Sequence, residues 1–135
     1  MNRWFGDSFF FVALLSSADQ AHERAVELLH EFDELVTTAW VLTEVADGFA
    51  ETASGRAAFA RLLSLLRPNA RVVIAPASQA LFDRGVELYL DRPDKAWSLT
   101  DCISFVVMGE QGLNKALTAD HHFEQAGFVA LMKQA

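Results

Sequence analysis

Apolar and polar residues follow two rhythms along this chain, and the places where one gives way to the other mark its elements. Arg3-Trp4-Phe5 is a short strand-like run closed by Gly6-Asp7. The series Phe9, Phe10, Val12, Ala13, Leu14, Leu15 that follows is too continuous for a surface helix and predicts a buried one. Asp19 then stands as an N-cap before Ala21, Ala25, Leu28, Leu29 and Phe32, which fall at helical spacing among Glu and Arg and predict an amphipathic second helix. Leu35-Val36-Thr37-Thr38 is partly β-branched and predicts a second strand. Its threonines are placed to cap a third helix that carries Trp40, Val41, Leu42, Val45 and Phe49.

Ser54-Gly55 opens a fourth helical stretch, in which Phe59, Leu62, Leu63 and Leu66 share a face until Arg67-Pro68 stops it. Arg71 to Ala75 predicts a buried third strand. Ser78 begins a long helix through Leu81, Phe82, Val86, Leu88, Tyr89 and Leu90 to Arg92-Pro93, with an interior Gly85 that weakens the pattern. Ser98-Leu99-Thr100-Asp101 starts a further helix, whose Ile103, Phe105, Val106, Val107 and Met108 make it apolar nearly all round and therefore central; Gly112 ends it. Lys115 to Thr118 predicts a fourth strand, His121 to Gln125 a short helix, and Phe128 to Leu131 an edge strand. Strands alternating with helices imply a three-layer α/β/α fold around a parallel sheet of about five strands.

Composition narrows this further. With 135 residues, 52% hydrophobic and 21% charged, the chain is expected to form one domain spanning residues 1–135. A formal charge of −7 excludes a basic nucleic-acid coat, so any nucleic acid must be met locally. The uncharged stretch from Ser8 to Ala18 is too short to cross a bilayer, and Asp7 interrupts the segment where a signal peptide would lie. Cys102 is the single cysteine, which excludes an intrachain disulfide and a thiolate metal site and fits a cytoplasmic protein with no membrane partner.

In a parallel α/β sheet, ligands gather beyond the carboxyl ends of the strands. Asp7 follows the first predicted strand, Asp120 follows the fourth, and Asp101 lies in the first turn of the central helix. Glu44 sits in the apolar turn Val41-Leu42-Thr43-Glu44-Val45, where a lone buried charge is costly. Carboxylates converging there repel one another, and a hard divalent cation such as Mg²⁺ or Mn²⁺ relieves that repulsion. A plainer explanation stands beside this one. Asp7 and Asp120 are also good helix caps, Ser98 to Asp101 has the outline of a capping box, and Glu44 can reach outward to solvent or an ion pair.

Gly6-Asp7-Ser8-Phe9-Phe10-Phe11-Val12-Ala13-Leu14-Leu15 resembles the opening Asp-Thr/Ser and apolar helix of PIN-domain nucleases, particularly VapC-like toxins, with Ser8 in place of the more frequent Thr. Thr37 to Val45 resembles that family's second acidic motif, and Ser98 to Phe105 its third. Leu117-Thr118-Ala119-Asp120-His121-His122-Phe123, followed by Ala126-Gly127-Phe128, resembles its final Thr-x-Asp-x-x-Phe element and closing strand. The likeness runs over nearly the whole chain, in order and with matching spacing.

This resemblance implies a PIN-like fold and a metal-dependent endoribonuclease in which Asp7, Glu44, Asp101 and Asp120 hold Mg²⁺ or Mn²⁺, with Asp7 and Asp101 the firmest ligands. Products with 5′-phosphate and 3′-hydroxyl ends are implied, as are a small antitoxin protein covering the acidic cleft and a homodimer. Ser8 and Thr118 are expected to position carboxylates or water through their hydroxyls, although both also suit helix caps. Asp94, in the loop before the third motif, fits the same supporting role or that of an exposed turn residue. The early helices, with Phe10, Phe11, Leu14 and Phe32, offer either a dimer surface or simply core.

Other constellations are weaker. His121 and His122 are adjacent, so they point in different directions, and both are expected on the surface, with phosphate contact as the alternative. His22 and His30 look like solvated positions, and Cys102 like inert packing. RNA would need a local positive field, for which Arg56, Arg61, Arg67 and Arg71 form the best cluster. The phenylalanines are most simply core; Trp97 is the aromatic residue with a possible stacking role. The competing function is a non-catalytic PIN-like protein-binding module that uses the groove for a partner. A phosphoacceptor signalling domain is disfavoured, because Arg71 to Ala75 is followed by Pro76 rather than Asp.

Overall fold

Five strands hydrogen-bond in the order β3-β2-β1-β4-β5, every pair parallel, in a computed structural model that describes residues 1–134. The elements follow the chain as β1 (Arg3–Gly6), α1 (Ser8–Leu15), α2 (His22–Leu28), β2 (Glu34–Thr38), α3 (Ala39–Gly48), α4 (Ala53–Leu66), β3 (Val72–Ala75), α5 (Gln79–Asp91), α6 (Leu99–Gln111), β4 (Lys115–Leu117), α7 (His121–Gln125) and β5 (Val129–Ala130). The chain builds outward from β1 through β2 to β3, then restarts on the other side of β1 with β4 and β5. The order therefore reverses between β1 and β4, and that switch point opens a crevice at their carboxyl ends. Among the described residues, no helix is long and apolar enough to cross a membrane.

The apolar runs of the central strands become buried layers, whereas β3, expected to be buried, lies at the sheet edge with Val73 40% exposed. Phe5, Leu35, Val36, Ala116 and Leu117 fill the central strands, and Phe10, Phe11, Ile103, Met108 and Phe123 pack on them from the helices. Phe10, Phe11 and Phe32 are all buried, so these three rings are core, while Leu14 is half-buried. Helix α2 is shorter than its periodicity predicts. Asp19 accepts from the Ala21 amide at 2.8 Å ahead of the helix, and Phe32 lies beyond its end while remaining buried. Tertiary packing, not helical continuation, holds that ring.

Caps occur where the hydroxyls predict them: Thr38 accepts from the Val41 amide at 3.1 Å to start α3, and Ser78 accepts from the Leu81 amide at 3.2 Å to start α5. Gly112 ends α6 in the left-handed region at φ 68°, a conformation that disfavours a side chain. Gly85, the oddity in α5, is explained by α6: a Cβ there would collide with Ile103 Cγ1. Gly85→Ala should therefore destabilise the domain by about 1–3 kcal/mol despite Ala's better helix propensity, because α5 and α6 must separate. Urea unfolding checks this, and a variant as stable as wild type would contradict the tight α5–α6 approach.

Candidate active site

Asp7 is the residue at which β1 gives way to α1, and its side chain makes no capping hydrogen bond to that helix. It is instead buried, 5% exposed, and accepts a 2.7 Å hydrogen bond from the Thr118 hydroxyl at the end of β4. The pairing of β1 with β4, Gly6 opposite Leu117, brings these two residues together across the switch point. Burial pushes the Asp7 carboxyl up to about 7. The Thr118 and Ser8 hydrogen bonds oppose the rise, while the Asp101 and Glu44 charges add to it. A buried carboxylate held this way is not a helix cap.

Thr118 also orders the next acid. Its hydroxyl accepts from the Asp120 amide at 3.1 Å, and Asp120 caps α7 by accepting from the His122 amide at 2.9 Å. Asp101 forms the capping box its sequence outlines, with Ser98 Oγ accepting from the Asp101 amide at 3.0 Å and Asp101 Oδ2 accepting from the Ser98 amide at 3.2 Å. Its carboxyl is raised, chiefly by burial, with the Asp120 charge contributing and the Ser98 and His122 hydrogen bonds opposing. Of the two readings its sequence allows, Glu44 follows the outward one. It lies on the exposed side of α3, where solvent removes the cost of burial, and the Ser8 hydroxyl donates to its Oε1.

The acids thus form a chain of neighbours running from Glu44 through Asp7 and Asp101 to Asp120. A cleft of about 410 Å³ opens beside them, lined by Asp7, Ser8, Phe9, Val12, Asp19, Ala119 and Asp120. Among the described residues, no Lys or Arg forms an ion pair with any of the four; the basic side chains at hand are imidazoles. Clustered oxygen donors with no Lys or Arg paired to them among the described residues fit a hard divalent ion. Asp120, His121 and His122 each offer a ligand-type atom, and these atoms all lie within 4.8 Å of one another.

His122 is the residue that sequence reasoning misses. Its side chain is 19% exposed, and its Nδ1 lies 3.0 Å from Asp101 Oδ2, whereas His121 stays on the surface as expected. The available signal was its position two residues after the Asp120 cap, which turns it inward at the first turn of α7. Asp94 stands apart from the acids: Arg92 holds both of its oxygens at 3.0 Å, which keeps its carboxyl below the usual range. Trp97 is buried at 6% exposure, with Nε1–H donating to Gln125 Oε1 at 3.0 Å and its ring edge-on to Phe105, so it offers no face for base stacking.

The four arginines are all exposed. Arg56 donates to the Ala50 carbonyl at 2.8 Å near the start of α4, and Arg67 lines a groove with Ala39, Leu42 and Thr43 of α3. Arg71 precedes β3 at the amino edge of the sheet, away from the acids, because parallel strands place all their carboxyl ends on the opposite side.

A five-stranded parallel sheet between helical layers, with carboxylates meeting at its switch point, defines an α/β/α domain with an acidic cleft. The chain belongs to the PIN-domain family, whose model matches residues 5–129. It is 29% identical over 126 residues to the 23S rRNA-specific endonuclease VapC20 of Mycobacterium tuberculosis, covering 93% of this chain and 95% of that protein. The crystal structure of M. tuberculosis VapC20, described as a sarcin-ricin loop cleaving toxin, aligns with a TM-score of 0.84 and 25% identity over 94% of this chain and 97% of that one. The fold also matches VapBC2 from Rickettsia felis, bound to a promoter DNA fragment, at TM-score 0.67, 14% identity and coverage of 95% and 96% of the two chains. FitAcB from Neisseria gonorrhoeae matches at TM-score 0.65 and 18% identity, covering 93% and 94%.

Proposed function

We propose that this protein is a metal-dependent endoribonuclease that hydrolyses RNA phosphodiester bonds, acting as the toxin of a toxin–antitoxin pair in the cytoplasm. The observation that carries this reading is the buried Asp7 at the switch point, tied to Thr118 and charge-coupled to Asp101 and Glu44, with no Lys or Arg paired to it among the described residues. The relatives named as RNA endonucleases and as a toxin support the substrate class. The counterpart is a small antitoxin whose segment covers the acidic cleft.

Asp7 and Asp101 are the residues to hold Mg²⁺ or Mn²⁺, with Glu44 and Asp120 flanking them. When bound, such an ion supplies Lewis-acid activation of water and neutralises charge developing on the phosphate. The protein's own contribution is orientation. Thr118 fixes Asp7 and the Asp120 backbone with one hydroxyl, and Ser8 anchors the exposed Glu44. Burial of Asp7 and Asp101 lowers the local dielectric, so each carboxylate interacts more strongly with a cation than it would in water.

Incubating a cellular RNA pool with the purified protein and Mg²⁺ or Mn²⁺ tests this. Discrete fragments that disappear with EDTA and in Asp101→Asn, which removes charge with little change of volume, are expected. Intact RNA under every metal condition would instead favour a non-catalytic PIN-like binding module.

A further inference from the structure

Two of the four acids come from separate segments, Asp101 from the start of α6 and Asp120 from the turn between β4 and α7, and one side chain joins them. His122 donates its backbone amide to Asp120 Oδ1 at 2.9 Å and sets its ring Nδ1 3.0 Å from Asp101 Oδ2. The same Nδ1 lies 3.5 Å from Asp120 Oδ1. An ionised carboxylate only accepts hydrogen bonds, so the contact requires the proton on Nδ1. Asp101 Oδ2 then receives two donors, the Ser98 amide from its own helix and the His122 ring from across the site. Two donors from different directions fix the plane of a carboxylate that one capping bond alone would leave free to rotate.

We propose that His122 is a positioning residue that holds Asp101 and Asp120 in a common orientation for a divalent cation. The inference rests on the proposed role of the four acids in metal binding. Its neighbour His121, with a side chain 71% exposed and no contact to Asp101, does not share the role. The residue acts through the carboxylates and does not itself touch substrate. Partners of this kind, bound to a ligand rather than to the metal, typically change metal affinity by about 10–100-fold when removed.

The test is calorimetric titration of the full-length chain with Mn²⁺ alone, for wild type, His122→Ala and His122→Asn, with metal-free thermal unfolding of each. Ala should weaken Mn²⁺ binding by about tenfold or more. Asn, whose amide N–H can take the place of Nδ1–H, should recover binding to within about threefold of wild type. A merely structural role would lower the unfolding temperature without that selective rescue. Long-range ¹H–¹⁵N NMR of the metal-free protein should show His122 Nδ1 protonated, and this measurement decides if the Ala variant fails to fold. Wild type that binds no Mn²⁺ would remove the metal-site reading and this proposal with it. Wild type that binds while Ala binds equally well, Asn that does no better than Ala, or an unprotonated Nδ1 would overturn the positioning role alone.

Discussion

Asp7→Asn is expected to abolish RNA cleavage, lowering its rate by about a thousandfold or more, and at the same time to make the metal-free domain harder to unfold at pH 8. The two effects have one cause. Asp7 is 5% exposed and its carboxyl is pushed up to about 7, so at pH 8 the metal-free fold must hold a poorly solvated negative charge beside Asp101 and Glu44. Asn keeps the shape, still offers Thr118 an acceptor oxygen, and removes the charge. Its amide cannot replace a carboxylate as a hard anionic ligand. Opposite changes in activity and stability separate a functional acid from a structural one, since loss of a structural hydrogen-bonded carboxylate would lower both. Gel-based cleavage and thermal melts of the two proteins in EDTA provide the measurement; a variant that cleaves RNA at the wild-type rate would remove Asp7 from the site.

The second large effect is on the pH dependence of stability. The folded-state carboxyl of Asp7 titrates near 7, against an ordinary value of 3.8 in the unfolded chain, so between those limits the folded state binds more protons than the unfolded one. Stability from this group is therefore complete below about pH 4, falls as pH rises, and levels off above about pH 7. A difference of about three units corresponds to about 4 kcal/mol. The raised Asp101 carboxyl acts in the same direction. Asp94, held low by Arg92, has the opposite sign, but its effect is confined to acid below the ordinary carboxylate range. Urea unfolding in EDTA should thus show a less stable protein at pH 8 than at pH 5, and Asp7→Asn should flatten the slope. Saturating Mn²⁺ should restore stability at pH 8, by about 2.7 kcal/mol at one hundred times its dissociation constant. Stability that rises from pH 5 to pH 8 in EDTA would contradict the buried, raised Asp7.

Much of the architecture was legible because it depends on local order. The apolar runs Val36-Thr37-Thr38 and Val72-Val73-Ile74-Ala75, separated by helical periodicity, require parallel strands with crossover helices, and the chain forms both, although β3 lies at the sheet edge and is not buried as its composition predicts. Hydroxyl caps at Thr38, Ser78 and Ser98 were equally visible, since a cap acts over three residues. The length of α2 and the need for Gly85 were not, because each depends on a surface supplied by a distant segment.

The site divides along the same line. The sequence by itself determined which acids stand at strand ends and helix starts, because side-chain type, spacing and element order are properties of the chain. Tertiary structure alone decided what those acids meet. It buried Asp7 against Thr118, left Glu44 in solvent with Ser8 as its donor, and turned His122 toward Asp101. It also paired Asp94 with Arg92, enclosed Trp97 beneath Arg92, and placed Arg71 at the opposite edge of the sheet. Burial, dielectric and hydrogen-bond partners arise only when residues far apart in sequence share a few ångströms of space, and these set the charge state and orientation of a carboxylate.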